Sequence, residues 1–95
     1  MPLTKVDGFP VVIREWPRNS RGDLARIAID RYEGRFIIDL RSWWRDSEGV
    51  LRPSRDGLSL SIEHLAKLAD GVRAALRRAE EFGLLERKAW DGNPR

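Results

Sequence analysis

Two runs rich in β-branched and aromatic residues flank Glu33-Gly34 in the segment LARIAIDRYEGRFIIDLRSWW, residues 24–44. Two such runs joined by a short connection containing glycine are typical of a β-hairpin, because glycine readily takes the positive φ that tight hairpin turns need. Ile27 and Ile29 share one face of the first predicted strand. The sequence therefore predicts a hairpin over residues 24–44.

The two faces of the second predicted strand differ in chemistry. One face is apolar and is expected to point to the core: Phe36, Ile38 and Leu40. The other face is rich in arginine and suits a binding surface: Arg35, Ile37, Asp39 and Arg41. Adjacent strand residues point to opposite faces, so Trp43 and Trp44 cannot easily share one core, and simple alternation places Trp43 with the arginines.

Two more strands and one helix complete the pattern. VVIREW (11–16) precedes the hairpin, and VLRPS (50–54) follows it as an edge strand, since its proline cannot donate to a ladder. RDG (55–57) is expected to end that strand. Between Ser61 as N-cap and Gly83 as C-cap, apolar residues recur at helical spacing: Ile62, Leu65, Leu68, Ala69, Val72, Ala75, Leu76 and Ala79. This order predicts an α+β fold in which the helix covers one face of a four-stranded antiparallel sheet.

Composition restricts the class of protein. Ninety-five residues fit one domain, no apolar run approaches the roughly 20 residues of a membrane helix, and no secretory signal opens the sequence. The absence of cysteine excludes disulfides and thiolate metal sites and makes a cytoplasmic location the expectation. The net charge is only +3, but 15 of the 18 basic residues are arginine, which binds phosphate and stacks on bases. A GC-rich coding bias explains the same excess equally well.

The sequence gives little support for a catalytic or metal-binding function. His64 is the only histidine, and no serine near it resembles a nucleophile elbow. Asp30 and Asp39 are more simply cross-strand ion-pair partners of the flanking arginines than a catalytic pair. DSEG (46–49) lacks the ligand spacing of a calcium loop. We therefore predict no enzyme, no metal site and no cofactor.

Arginines alternate with aromatic residues along the predicted strands: Arg31, Tyr32, Arg35, Arg41, Trp43, Trp44, Arg45, Arg52 and Arg55. Surfaces that bind single-stranded nucleic acid combine cations that follow the backbone with rings that stack on bases. The alternative is that the rings pack at the edge of the core and the arginines are ordinary surface residues.

The run from Asn19 to about Ala79 resembles the positive-cofactor-four family of transcriptional coactivators and its prokaryotic single-stranded-DNA-binding relatives. Its most specific parts are YEGRFIIDLRSWW (32–44), DSEGVLRP (46–53) and DGLSL (56–60). The resemblance implies a curved sheet, a homodimer formed through the helices, and single-stranded DNA held with little sequence preference. The sequence departs from the family at Glu33 and Asp56, where eukaryotic members commonly carry lysine.

The resemblance also implies site residues. The expected DNA contacts are Tyr32, Arg35, Arg41, Trp44 and Arg55, with Arg18, Arg21, Arg31 and Arg52 as an outer set. A bulge or sharp twist at Ser42 is needed to bring Trp44 to the arginine face, and Trp43 is the alternative ring. The expected dimer contacts lie on the helix: Leu65, Leu68, Val72 and Leu76.

We predict three segments: a lead-in with a short strand (1–18), a single-stranded-DNA-binding domain (19–83) and a tail (84–95). The predicted function is non-catalytic binding of single-stranded DNA by a homodimer in transcription, replication or repair, at the nucleoid if the source is prokaryotic. Two alternatives stay open: a protein-interaction module that acts as a transcription cofactor, and a binder of RNA or duplex DNA.

Overall fold

The fold is an antiparallel sheet followed by one helix, in a computed structural model that describes residues 8–85. The elements are β1 (Val11–Pro17), β2 (Leu24–Tyr32), β3 (Arg35–Arg45), β4 (Leu51–Ser61), a 3₁₀ turn (Ile62–His64) and α1 (Leu65–Glu81). Each strand pairs with the next along the chain, in the order β1-β2-β3-β4. The predicted α+β fold, with four antiparallel strands before one C-terminal helix, is confirmed.

The hairpin of β2 and β3 has the two faces that its sequence predicts. Its register is unbroken from Leu24 opposite Trp43 to Tyr32 opposite Arg35. The apolar face contains Ile27 opposite Leu40, Ile29 opposite Ile38, and Phe36. The polar face contains Arg26 opposite Arg41, Tyr32 opposite Arg35, and also Ile37, Asp39 and Trp43. Ile38, only 3% exposed, lies at the centre of the apolar face.

The turn of this hairpin has positive φ at both of its residues, 51° at Glu33 and 80° at Gly34. Two positive φ angles in a two-residue connection define a type I′ turn, whose twist matches that of the flanking strands. Glycine accepts this conformation freely, but a side chain at Glu33 is disfavoured there. The predicted turn is confirmed, and Glu33 has a backbone conformation that is unfavourable for a residue with a side chain.

The predicted end of β4 was wrong. RDG (55–57) does not end the strand, which continues to Ser61. Arg41 pairs with Gly57 and Trp43 pairs with Pro53, so the three residues 54–56 of β4 lie opposite Ser42 alone. This bulge absorbs the turn-like residues, and the ladder then resumes. β4 is an edge strand, as its proline predicts.

The helix begins later than expected and ends where expected. Ser61 precedes the 3₁₀ turn without a capping hydrogen bond from its side chain, and α1 starts at Leu65. At the other end, Gly83 has φ 76° and donates its N–H to the carbonyl of Glu80, while Leu84 donates to Ala79. This pair of bonds is a Schellman motif, which confirms the predicted C-cap glycine.

The helix forms a separate compact unit that begins at Ala66. Leu65, Leu68 and Leu76 are half-buried, and Val72 is 57% exposed. The packing of this stripe on the sheet and the dimer contacts stay predictions, as do the segment boundaries. Residues 1–7 and most of the predicted tail lie outside the described part of the chain. Within residues 8–85, no helix has the length and apolar character needed to cross a bilayer.

Candidate nucleic-acid interface

A groove of about 550 Å³ lies at the turn end of the polar face, and we call it the hairpin groove. Its lining residues come from the β2–β3 hairpin and from β4: Tyr32, Glu33, Arg35, Ile37, Ser59, Leu60 and Ser61. The two sides meet because Ile37 pairs with Ser61 across the β3–β4 ladder. Tyr32 is 61% exposed, so its ring is open to a ligand.

Arg35 is the cation of this groove. It pairs directly with Tyr32 in the β-ladder, so both side chains leave the same face of the sheet. Among residues 8–85, no carboxylate lies within salt-bridge distance of its guanidinium. The arrangement therefore offers an exposed ring beside an exposed positive charge.

Arg41 is held in place by the strand next to it. Its Nη2 donates to Asp39 Oδ1 at 2.8 Å and to Ser59 Oγ at 3.0 Å, and its Nη1 donates to the Ser54 carbonyl at 3.0 Å. Its Nε also donates to the Asp39 carboxylate, at 3.2 Å. The hydrogen bonds to Asp39 raise the pKa of Arg41 above its ordinary value, although partial burial opposes this. Four of its five N–H groups are thus already bonded within the sheet.

Gly57 makes room for this guanidinium. A Cβ added at Gly57 would lie 2.8 Å from Arg41 Cζ, from Arg41 Nη1 and from the carbonyl oxygen of Leu40. Ser59 Oγ, which accepts from Arg41, also donates to Asp39 Oδ1 at 2.5 Å. The predicted cross-strand ion pairs of Asp30 and Asp39 were wrong. Asp39 pairs with Arg41 of the same strand, and among residues 8–85 no basic nitrogen lies within salt-bridge distance of Asp30.

Trp43 lies on the polar face and is covered by Arg26. The Arg26 guanidinium lies 4.0 Å from the centre of the Trp43 ring, and Arg26 Nε donates to Glu15 at 2.7 Å. Trp43 Nε1 is buried and has no acceptor among residues 8–85. One face of this ring is therefore occupied by a paired arginine and is closed to a base.

Trp44 lies on the other side of the sheet. It pairs with Arg52 across the β3–β4 ladder, and it is 42% exposed. A register shift does occur at Ser42, but its extra residues belong to β4, and the β2–β3 register continues without a break. We expected the bulge to turn Trp44 to the same face as Arg41. That expectation was wrong, because the β2–β3 register places Trp44 on the opposite face from Arg41.

The remaining predicted residues are dispersed. Arg55 and Asp56 are exposed in the β4 bulge. Arg52 forms an ion pair with Asp46, with 2.9 Å between Nε and Oδ2. Arg21 forms one with Asp23 in the β1–β2 loop, with 3.2 Å between Nη2 and Oδ2. Arg31 lies on the apolar face, 5.4 Å from the ring centre of Phe36. The register thus places Tyr32, Arg35, Arg41 and Trp43 on the polar face, and it places Arg31, Trp44 and Arg52 on the apolar face.

Sequence reasoning missed the contribution of β4 to this surface. Gly57, Ser59 and Ser61 pair with Arg41, Asp39 and Ile37 and complete the polar face. The signal was present in GLSLS (57–61), where small or polar residues alternate with leucine at the period of a strand.

Comparison with known proteins identifies the family. The sequence pattern of the family described as Transcriptional Coactivator p15 (PC4) matches residues 19–71, which is more than half of the chain. The crystal structure of a PC4 homologue from Burkholderia pseudomallei is similar, with a TM-score of 0.62 and 29% identity over 72% of this chain and 90% of that one.

A bacteriophage T5 homologue of the eukaryotic transcription coactivator PC4, described as implicated in recombination-dependent DNA replication, has a similar fold. Its TM-score is 0.64, with 20% identity over 84% of this chain and 91% of that one. The match to the family pattern and the similar folds of the two solved structures agree. This chain therefore belongs to the p15 (PC4) family of DNA-binding, transcription-coactivator-like proteins.

Proposed function

We propose that this protein binds single-stranded DNA without catalysis and that the polar face of its sheet carries the strand. The observation that supports this most directly is the hairpin groove, where the exposed ring of Tyr32 lies beside the guanidinium of Arg35. Unpaired bases stack on such rings with about 1–3 kcal/mol each. Duplex DNA keeps its bases stacked inside, so the same ring favours the single strand.

In this proposal Arg35 and Arg41 of the polar face have different roles. Arg35 contacts a phosphate directly, since its charge is not neutralised by a carboxylate within residues 8–85. Arg41 is a positioning residue with one N–H left to offer, because Asp39, Ser59 and Ser54 accept the others. Arg55, exposed in the bulge of β4, adds a further cation to the surface.

We further propose that the active form is a homodimer built on the helix stripe, with Leu65, Leu68, Val72 and Leu76 at the contact. Val72, an aliphatic residue in the middle of α1, is 57% exposed in the single chain. A dimer would bury this apolar surface and give one strand two polar faces to follow. The cellular role would be in transcription, replication or repair, in the cytoplasm and at the nucleoid of a prokaryotic cell.

A second candidate function rests on the apolar face. Several large side chains of this face are at least 40% exposed in the single chain: Val11, Trp16, Phe36, Trp44 and Leu58. Exposed apolar surface of this kind often marks a protein contact. If a protein partner is the main ligand, binding to DNA will be weak and will show little preference for the single strand.

The experiment that tests the proposal is a titration of the wild-type protein with a labelled 20-base single strand, its duplex and the matching RNA. We expect the single-stranded DNA to bind most tightly and the affinity to fall by about 0.7 log units for each phosphate contact per tenfold rise in salt. Equal binding of duplex and single strand, or affinity independent of salt, would contradict the proposal.

A further inference from the structure

Glu33 places a carboxylate on the same groove as the stacking ring. It lines the hairpin groove together with Tyr32 and Arg35, and it is exposed. Among residues 8–85, no basic nitrogen lies within salt-bridge distance of it. A carboxylate repels phosphate, so on a DNA-binding surface Glu33 either weakens binding or contacts another part of the nucleotide.

The turn fixes where this carboxylate stands relative to a stacked base. Glu33 follows Tyr32 directly, and the type I′ turn, with φ 51° at Glu33, sets the direction of its side chain from the hairpin tip. A base that stacks on Tyr32 uses its flat face, which leaves its hydrogen-bonding edge exposed at the side of the ring. Among the side chains that line the groove, that of Glu33 carries a negative charge and accepts hydrogen bonds.

The bases differ in how well they match an ionised carboxylate. Such a group only accepts hydrogen bonds, and its two oxygens can take a pair of parallel donors. Guanine presents two adjacent donors, N1–H and the N2 amino group, on its Watson–Crick edge. Adenine and cytosine present one amino group each, and thymine presents one N–H flanked by two repelling carbonyl oxygens.

We propose that Glu33 makes the hairpin groove a guanine-preferring subsite, with the base stacked on Tyr32 and its N1–H and N2 amino groups bonded to the Glu33 carboxylate. This inference rests on the proposed function, because it needs a single strand on the polar face. The protein then binds most single strands through stacking and phosphate contacts and gains affinity where an unpaired guanine reaches the groove.

The test compares three 20-base strands: all thymine, thymine with an isolated guanine at every fourth position, and the same strand with inosine in place of guanine. Isolated guanines avoid four-stranded structures, and inosine lacks the N2 amino group. We expect the wild-type protein to bind the guanine strand about fivefold to 100-fold more tightly than the thymine strand, as for a bidentate base contact, with inosine between them.

Two variants show whether Glu33 is responsible. Glu33→Gln removes the charge and one acceptor, so it should bind thymine more tightly than wild type and lose the preference for guanine. Asp56→Asn is the matched control, because it removes a carboxylate from the bulge, outside the hairpin groove. It should raise the affinity for both strands and keep their ratio.

Two results would overturn the inference alone: equal binding of the guanine and thymine strands by the wild type, or a guanine preference that survives in Glu33→Gln. Failure to bind any single strand at low salt would overturn the proposed function and this inference with it. Binding of the thymine strand at low salt therefore distinguishes failure of this inference from failure of the proposed function.

Discussion

Gly57→Ala tests the packing of Arg41 against β4. A Cβ at this position would approach three atoms to 2.8 Å, of which two belong to the Arg41 guanidinium and one is the Leu40 carbonyl oxygen. The guanidinium can move only by losing hydrogen bonds to Asp39, Ser59 and Ser54, and the carbonyl belongs to the central strand β3. Overpacking of this kind costs about 1–3 kcal/mol, so we expect the free energy of unfolding to fall by that amount.

The assay is urea unfolding followed by tryptophan fluorescence, with Gly71→Ala as the matched control. Gly71 lies within α1 and has no atom within 4 Å of an added Cβ, so alanine there should raise the free energy of unfolding by about 0.5–1 kcal/mol. Two glycine-to-alanine changes in one chain are thus expected to have opposite signs.

The double variant Gly57→Ala/Arg41→Ala separates the two causes. Removal of the guanidinium relieves two of the three close approaches and leaves the one to Leu40. The cost of Gly57→Ala should therefore be smaller in the Arg41→Ala background, although not zero. A Gly57→Ala protein as stable as the wild type, or the same cost in both backgrounds, would refute this account of the cluster.

Three further predictions concern the turn, the phosphate contact and acid stability. Glu33→Asn should raise the free energy of unfolding by about 1 kcal/mol in thermal or urea unfolding, because Asn-Gly suits a type I′ turn better than Glu-Gly; lower stability would argue against the turn assignment. Arg35→Ala should reduce the slope of log affinity against log salt by about 0.7 for each lost phosphate contact, whereas Arg31→Ala on the apolar face should leave it unchanged; equal slopes in both variants would place the strand elsewhere. Hydrogen bonds from the Val50 N–H and the Arg52 side chain hold the pKa of Asp46 below its ordinary value of 3.8, so its contribution to stability is present above pH 3.8 and is lost as pH falls through the lower pKa of the folded state. Asp46→Asn should therefore flatten the acid side of the stability curve, and an unchanged curve would contradict this role.

The hairpin was predictable because its information is local. Alternation along β2 and β3 separates the apolar face from the polar face, and the unbroken register of this pair keeps that separation from Leu24 to Tyr32. The same rule places Trp43 on the polar face, where its ring meets Arg26. Local pattern thus predicted the face on which each tryptophan lies, while the ring that contacts DNA stays a prediction.

The end of β4 was harder to predict because the strand contains a bulge. Residues 54–56 have the composition of a turn, and only the pairing of Gly57 with Arg41 shows that the strand continues past them. The hydrogen bonding of Arg41 depends on β4 as well as on Asp39, since two of its acceptors, Ser54 and Ser59, belong to β4. Sequence reasoning therefore identified the β3 residues of the polar face, but it missed the contribution of β4 and the pairing of Arg41 with Asp39.

A comparison of Tyr32→Ala with Trp44→Ala decides whether a single strand lies on the polar face of the sheet. Both remove an exposed aromatic ring, but the two rings belong to opposite faces of the sheet. The measurement is the anisotropy of a labelled 20-base thymine strand at low salt. We predict that Tyr32→Ala weakens binding by about fivefold to 100-fold, as for the loss of one stacked base, while Trp44→Ala stays within about twofold of the wild type. A loss of binding in Trp44→Ala with none in Tyr32→Ala would place the strand on the apolar face and contradict the account.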